Sequence, residues 1–187
     1  MGSKTKVVSV LAVAAALMAL PASAAAEERV CRGTIGATTL DNVRVPQGAS
    51  CTLNGTYVKG TVKVERTATL RASAARVIGN VQGENAWRVN VVNGSRIGGS
   101  VQVVQGGAAT VADSRVTGDI LYDDNASALR VLRNRVGGNV QAFQNTGGVQ
   151  VTSNVIDGNL QCKENVPAPT GGGNQVGGNK EDQCAQL

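Results

Sequence analysis

The sequence predicts an all-β fold, a single-stranded parallel β-helix of about six to seven coils of 19–20 residues each. Three observations predict it. Glycines recur at positions 60, 79, 99, 118, 138, 158 and 178. So even a step marks a repeat architecture. Most of these glycines have an aliphatic residue two places before and two places after, as in Val136-Gly137-Gly138-Asn139-Val140-Gln141. The apolar runs are rich in Val and Ile, alternate with polar residues, and are too short for a stable helix.

With each glycine counted as zero, position −2 reads Val58, Val77, Ile97, Val116, Val136, Ile156 and Val176. Position +2 reads Val62, Val81, Val101, Ile120, Val140 and Leu160. An earlier pair at −9 and −7 adds Leu129 with Val131 and Val149 with Val151. One coil cannot bury such a face alone. Stacked coils can, because strands then pair in parallel about 4.8 Å apart and like residues form columns inside. The glycine is expected at a corner, where positive φ or close backbone approach is needed. Ser95, Ser114, Asn134, Asn154 and Asn174 share position −4, which suits a second corner. Parallel crossovers favour a right-handed coil. A left-handed helix of hexapeptides is the rival, but a step of 19–20 is not a multiple of six.

The valine–glycine repeats cover about residues 55–180 and resemble the right-handed parallel β-helix repeat proteins. That superfamily includes pectate-lyase-like enzymes and the polymer-forming bactofilins. The C-terminal residues add Gly158-Asn159-Leu160-Gln161-Cys162, Asn165-Val166-Pro167-Ala168-Pro169-Thr170-Gly171-Gly172-Gly173-Asn174, Gly178-Asn179-Lys180 and Gln183-Cys184. In these the chain resembles small secreted actinobacterial β-helix proteins of unassigned function. The resemblance implies the solenoid fold and assigns no activity. The enzymatic relatives cleave acidic polysaccharides with acidic calcium ligands and a basic catalytic residue, and no stretch here matches that motif. Bactofilin likeness implies self-assembly into filaments, an alternative that the export signal and end-capping disulfides argue against.

Residues 1–26 read as a secretory signal. Lys4 and Lys6 form a basic start, Val7 to Leu20 is an apolar run broken only by Ser9, and Pro21 ends it. Ala22-Ser23-Ala24 supplies the small-residue cleavage pattern, with cleavage after Ala24 or Ala26 equally readable. The run is shorter than a usual span of ~20 residues, and no later stretch could cross a membrane as a helix. Residues 27–55 form an N-terminal cap leading into the solenoid, and residues 56–187 form the repeats and a C-terminal cap. Four cysteines in an exported chain imply disulfides. Cys31 precedes Cys51 by about one coil, and Cys162 precedes Cys184 by about one coil. That spacing favours one staple at each end. Zinc binding by the four is the rival, but no close Cys-x-x-Cys pair exists.

Composition narrows the chemistry. There is no histidine, which removes the commonest general base and serine–histidine or cysteine–histidine schemes. A glycosidase needs two facing carboxylates. The candidates are Asp113, Asp119, Asp123, Asp124 and Asp157. Asp119 shares position +1 with Thr61, Asn80, Ser100, Asn139, Asn159 and Asn179, so a turn or ladder role fits it better. Asp123-Asp124-Asn125 reads as a loop tip, where calcium is a rival reading. No cofactor and no metal is expected. Asn54-Gly55-Thr56, Asn93-Gly94-Ser95 and Asn125-Ala126-Ser127 match the glycosylation pattern, as corners rich in Asn, Gly and Ser do by chance.

Two outward columns remain. Position +3 reads Lys63, Gln82, Gln102, Leu121, Gln141 and Gln161, and stacked glutamines can form an amide ladder. Position −3 reads Arg76, Arg96, Arg115 and Arg135. Four stacked arginines make a ridge, either an ordinary solvated corner or a dock for an anionic polymer such as teichoic acid, acidic glycan or extracellular DNA. Sequence-specific reading of nucleic acid is not expected, since basic and aromatic residues do not interleave. Without residues 1–26 the net charge is only +3, from 16 basic and 13 acidic residues. The expectation is a secreted, non-enzymatic β-helix at the cell envelope. A small polysaccharide-active enzyme and a filament former are the alternatives, and the oligomeric state is left open.

Overall fold

The computed structural model describes residues 1–2 and 27–187. Apart from Met1 and Gly2, the leader expected over residues 1–26 lies outside them. The described chain is a parallel β-solenoid. Three sheets run its length, with nine strands in the first and eight in each of the others, all paired in parallel. Successive strands of one coil enter the three sheets in turn, so each strand hydrogen-bonds to its equivalents one coil before and one coil after.

The central coils follow the columns read from the sequence. In one coil Val101–Val104 lies in the first sheet, Ala108–Ala112 in the second and Arg115–Val116 in the third. Register is fixed by residue type. Val81 pairs with Val101, Val101 with Ile120, Ile120 with Val140 and Val140 with Leu160. These residues are buried, as are Val77, Ile97, Val116, Val136 and Ile156 in the third sheet. A shift of one residue would turn each aliphatic column outwards, so the pattern specifies one register. Tyr122 is the largest fully buried side chain, and its hydroxyl donates to the carbonyl of Arg130 at 3.2 Å. Burial pushes its phenol well above the ordinary tyrosine range.

The solenoid has eight coils and the opening strand of a ninth, against an expectation of six to seven. The added coils come from the stretch read as a lead-in. Glu28–Val30, Gly33–Ile35 and Thr39–Leu40 form the first coil, and Asn42–Val45, Ser50–Asn54 and Tyr57–Val58 the second. The second coil ends in Gly60, and in the first coil Asp41 takes the glycine's place, its carbonyl accepting from the Gly60 N–H. The first coil is also shorter than the rest, since Glu28 already pairs with Asn42.

The recurring glycines do sit at a corner, but they are not among the residues with positive φ. Close approach is what requires them. A Cβ on Gly99 would meet the Asn80 amide oxygen and lie 2.9 Å from the Gly79 carbonyl oxygen. The left-handed conformation falls on other residues, in two columns represented by Asn85, Gln105, Asp124, Gln144 and Glu164, and by Ala74, Asp113, Arg133 and Ser153.

Candidate functional site: an arginine ridge on a laddered solenoid

Most polar columns are used to hold corners. At position −4, Asn134, Asn154 and Asn174 are buried. Asn154 Oδ1 accepts from the Asn134 amide N–H at 2.9 Å, and Asn154 Nδ2 donates to the Val131 carbonyl at 2.8 Å. Thr56 and Ser95 hold the same place with buried hydroxyls bonded to backbone carbonyls. A second ladder escapes the sequence reading. Asn125, Asn145 and Asn165 are buried and bonded in the same manner, and Gln183 closes the stack at the C-terminal end. Asn125 is therefore not part of a loop tip with Asp123 and Asp124, and its amide is inaccessible to glycosylation. Its spacing of one coil to Asn145, and of two to Asn165, is the available signal.

The carboxylates considered for catalysis go to separate structural tasks. Asp119 stands in the ladder at position +1 and accepts from the Asn139 amide N–H at 2.6 Å. Asp113 holds Arg133 through two bonds of 2.7 and 2.8 Å. That guanidinium keeps the Asp113 carboxyl below the usual carboxylate range. Asp157 lies 3.5 Å from Arg135. Asp123 ends a strand of the first sheet, and Asp124 turns the next corner with positive φ. The glutamine column forms a broken ladder: Gln82 donates to Gln102 and Gln141 to Gln161, with Leu121 between the two pairs.

The cysteines pair as Cys31–Cys51 and Cys162–Cys184, with Cα–Cα distances of 5.6 and 5.2 Å. All four are buried, and no cysteine among the described residues is free for a metal. Cys31 and Cys162 stand in one inward column at opposite ends.

The four arginines at position −3 come together. Arg76 pairs in register with Arg96, Arg96 with Arg115, and Arg115 with Arg135. All four are exposed because the alternating pattern of the third sheet buries the next residue, Val77, Ile97, Val116 or Val136. The ends of the ridge have partners. The Arg76 guanidinium lies 5.0 Å from the centre of the Tyr57 ring, and Arg135 approaches Asp157. Among the described residues, Arg96 and Arg115 take part in no ion pair. Two stacked, uncompensated cations thus occupy the middle of the ridge. A shallow depression of about 530 Å³ adjoins them, lined by Ser95, Asp113, Ser114 and Arg133 beside the ridge arginines.

A slightly larger depression, about 580 Å³, lies on the first sheet between Lys63 and Leu121. Lys63, Arg66, Glu65 and Glu84 line it with the Gln82–Gln102 amide pair. Its charges are of both signs and Glu65 is already bonded to Arg44, so it offers no field of one sign. At the ridge the two middle arginines, Arg96 and Arg115, are in no ion pair among the described residues, and the candidate site is placed there for that reason.

Among the described residues no helix is long and apolar enough to cross a membrane. Comparison with family models, curated proteins and solved structures finds no match to the chain.

Proposed function

We propose that this protein is an extracellular, non-enzymatic solenoid of the cell envelope that holds a linear anionic polymer along its arginine ridge. The observation that carries the reading is register. Arg76, Arg96, Arg115 and Arg135 stand on four consecutive hydrogen-bonded strands, and so repeat along the axis about every 4.8 Å. A guanidinium presents a planar fork that suits carboxylate and phosphate oxygens alike. Each exposed contact is weak and screened by salt. Several on one rigid rod act together, because the first contact brings the next charge of the polymer within reach. Stacking like charges on neighbouring strands is itself unfavourable, and an anion laid across Arg96 and Arg115 relieves it. Two disulfides suit an oxidising location, and the likeness of the C-terminal residues to secreted solenoids points the same way.

Retention on immobilised wall teichoic acid and on polyglucuronate at low salt tests the proposal. Wild type is expected to bind, and Arg96→Gln with Arg115→Gln to lose most retention at an unchanged melting temperature. Lys63→Gln with Lys163→Gln removes the same charge from the first sheet and should retain nearly as well as wild type. Equal loss in the two double variants would assign binding to net charge and sink the proposal. So would a wild type that washes through at low salt.

A further inference from the structure

The inward column at position +2 is aliphatic in every internal coil and cationic at both ends. It reads Val43, Val62, Val81, Val101, Ile120, Val140 and Leu160, all buried. Before it, Arg29 pairs in register with Val43, and after it Lys180 pairs with Leu160. Both end residues are exposed. Among the described residues neither takes part in an ion pair.

We infer that Arg29 and Lys180 are a matched pair of guards that keep one solenoid from stacking on another, so that the protein works as single rods. The ends would otherwise be complementary. Among the described residues, Glu28–Val30 and Lys180–Asp182 are the two outermost strands of the first sheet, and each leaves one edge without a partner. Ile35 and Leu40 at one end, and Val176 and Leu187 at the other, are only partly buried against the core. Unpaired parallel edges beside apolar side chains are a template for another copy of the same strand. A head-to-tail stack would continue the pairing of the first sheet, with Arg29 of one copy falling beside Lys180 of the next.

That junction would bring two cations about one coil rise, ~4.8 Å, apart in a column from which the coils exclude water. Unpaired like charges are costly to bury. Of the nearby acids, Glu28 bonds Arg44 at 2.7 Å, Asp41 bonds Lys59 at 3.1 Å and Glu181 accepts from Gln161 at 2.7 Å. Glu27 shares a depression with Arg29, and in a continued stack it would align with Gly178 and not with Lys180. Asp182 aligns with Cys162, so in a continued stack it would meet the Cys31 column and not Arg29. Head-to-head contact would oppose two Arg29 residues, and tail-to-tail contact two Lys180 residues. One sign at both ends of this inward column therefore disfavours all three associations. The disulfides hold the guards in place, since Cys31 lies two residues after Arg29 and the Cys162–Cys184 bridge spans Lys180.

Sedimentation velocity and negative-stain microscopy over a concentration series, with protein expressed from the full sequence, test the inference. Wild type should remain a single-solenoid species throughout. Arg29→Val with Lys180→Val should form end-to-end rods whose mean mass at least doubles as concentration rises. Lys180→Glu alone places opposite charges at a head-to-tail junction and should produce rods that added salt dissolves. That variant decides the matter if the double variant does not fold. Single particles from every folded variant at all concentrations would overturn the inference, as would rods formed by wild type. Neither outcome depends on polymer binding at the ridge.

Discussion

Asn154 Oδ1 lies within hydrogen-bonding distance of both Asn134 nitrogens, accepting from the backbone N–H at 2.9 Å and from Nδ2 at 3.1 Å. One buried side chain thereby satisfies the backbone of the preceding coil, while its own Nδ2 reaches back to Val131. The corner is held along the axis by side chains that copy the backbone's hydrogen bonding. An exposed ridge can keep a fixed pitch on such a frame because the coils beneath it cannot slip independently.

Asn154→Ala should therefore destabilise strongly. It strands the Asn134 N–H away from water, at about 1–3 kcal/mol for a group left unsatisfied, and takes from the Val131 carbonyl its side-chain donor. Asn93→Ala removes an exposed bond to Ser73 and places alanine at φ of 57°, a position asparagine tolerates better, so it should cost less, about 1 kcal/mol. Thermal or urea unfolding of the two variants separates them. Similar midpoints would mean that the buried ladder contributes nothing specific.

Gly99→Ala should lower stability more than Gly94→Ala, although Gly94 has the less ordinary backbone. At Gly94 a methyl group meets nothing within 4 Å, and the cost is that of placing alanine at φ of 75°, about 1–2 kcal/mol. At Gly99 the methyl must displace the Gly79 carbonyl and the Asn80 amide of the coil below. Urea midpoints in the reverse order would show that conformation, and not close approach, selects the recurring glycines.

Non-reducing peptide maps should recover Cys31 joined to Cys51 and Cys162 joined to Cys184. Each bridge closes a loop of about 20 residues, so Cys162→Ser with Cys184→Ser should cost roughly 3 kcal/mol. A Cys31–Cys184 or Cys51–Cys162 peptide would contradict the two-cap arrangement.

How much can be read in the sequence depends on whether a residue repeats and whether its surroundings are set by neighbours in the chain. Val140 and Gly138 fall where the sequence places them because their columns recur through consecutive coils. The disulfides follow from spacings close to one coil. The first coil escapes the count because Asp41 stands in its glycine place and the coil is short. Asn125 reads as a loop residue because Asp123 and Asp124 precede it, and local polarity outweighs its one-coil spacing to Asn145. Its burial follows from a coil above and a coil below, which no short stretch encodes. The alignment of Arg76, Arg96, Arg115 and Arg135 is legible, but the partners that separate the ridge ends from its middle are not. Tyr57 stands under Arg76 only because strand pairing places it one coil away.

The salt dependence of binding tests the polymer-docking account most directly. For a protein that neutralises polymer charges, log K falls linearly with log salt, by a little under one unit per charge contacted. Wild type and Arg96→Gln with Arg115→Gln should both give straight lines on wall teichoic acid. The variant's slope should be shallower by about 1.5 to 2, close to one per arginine removed. Lys63→Gln with Lys163→Gln should leave the slope at the wild-type value. Equal slopes for wild type and the arginine variant would contradict the account, because Arg96 and Arg115 would then not touch the polymer.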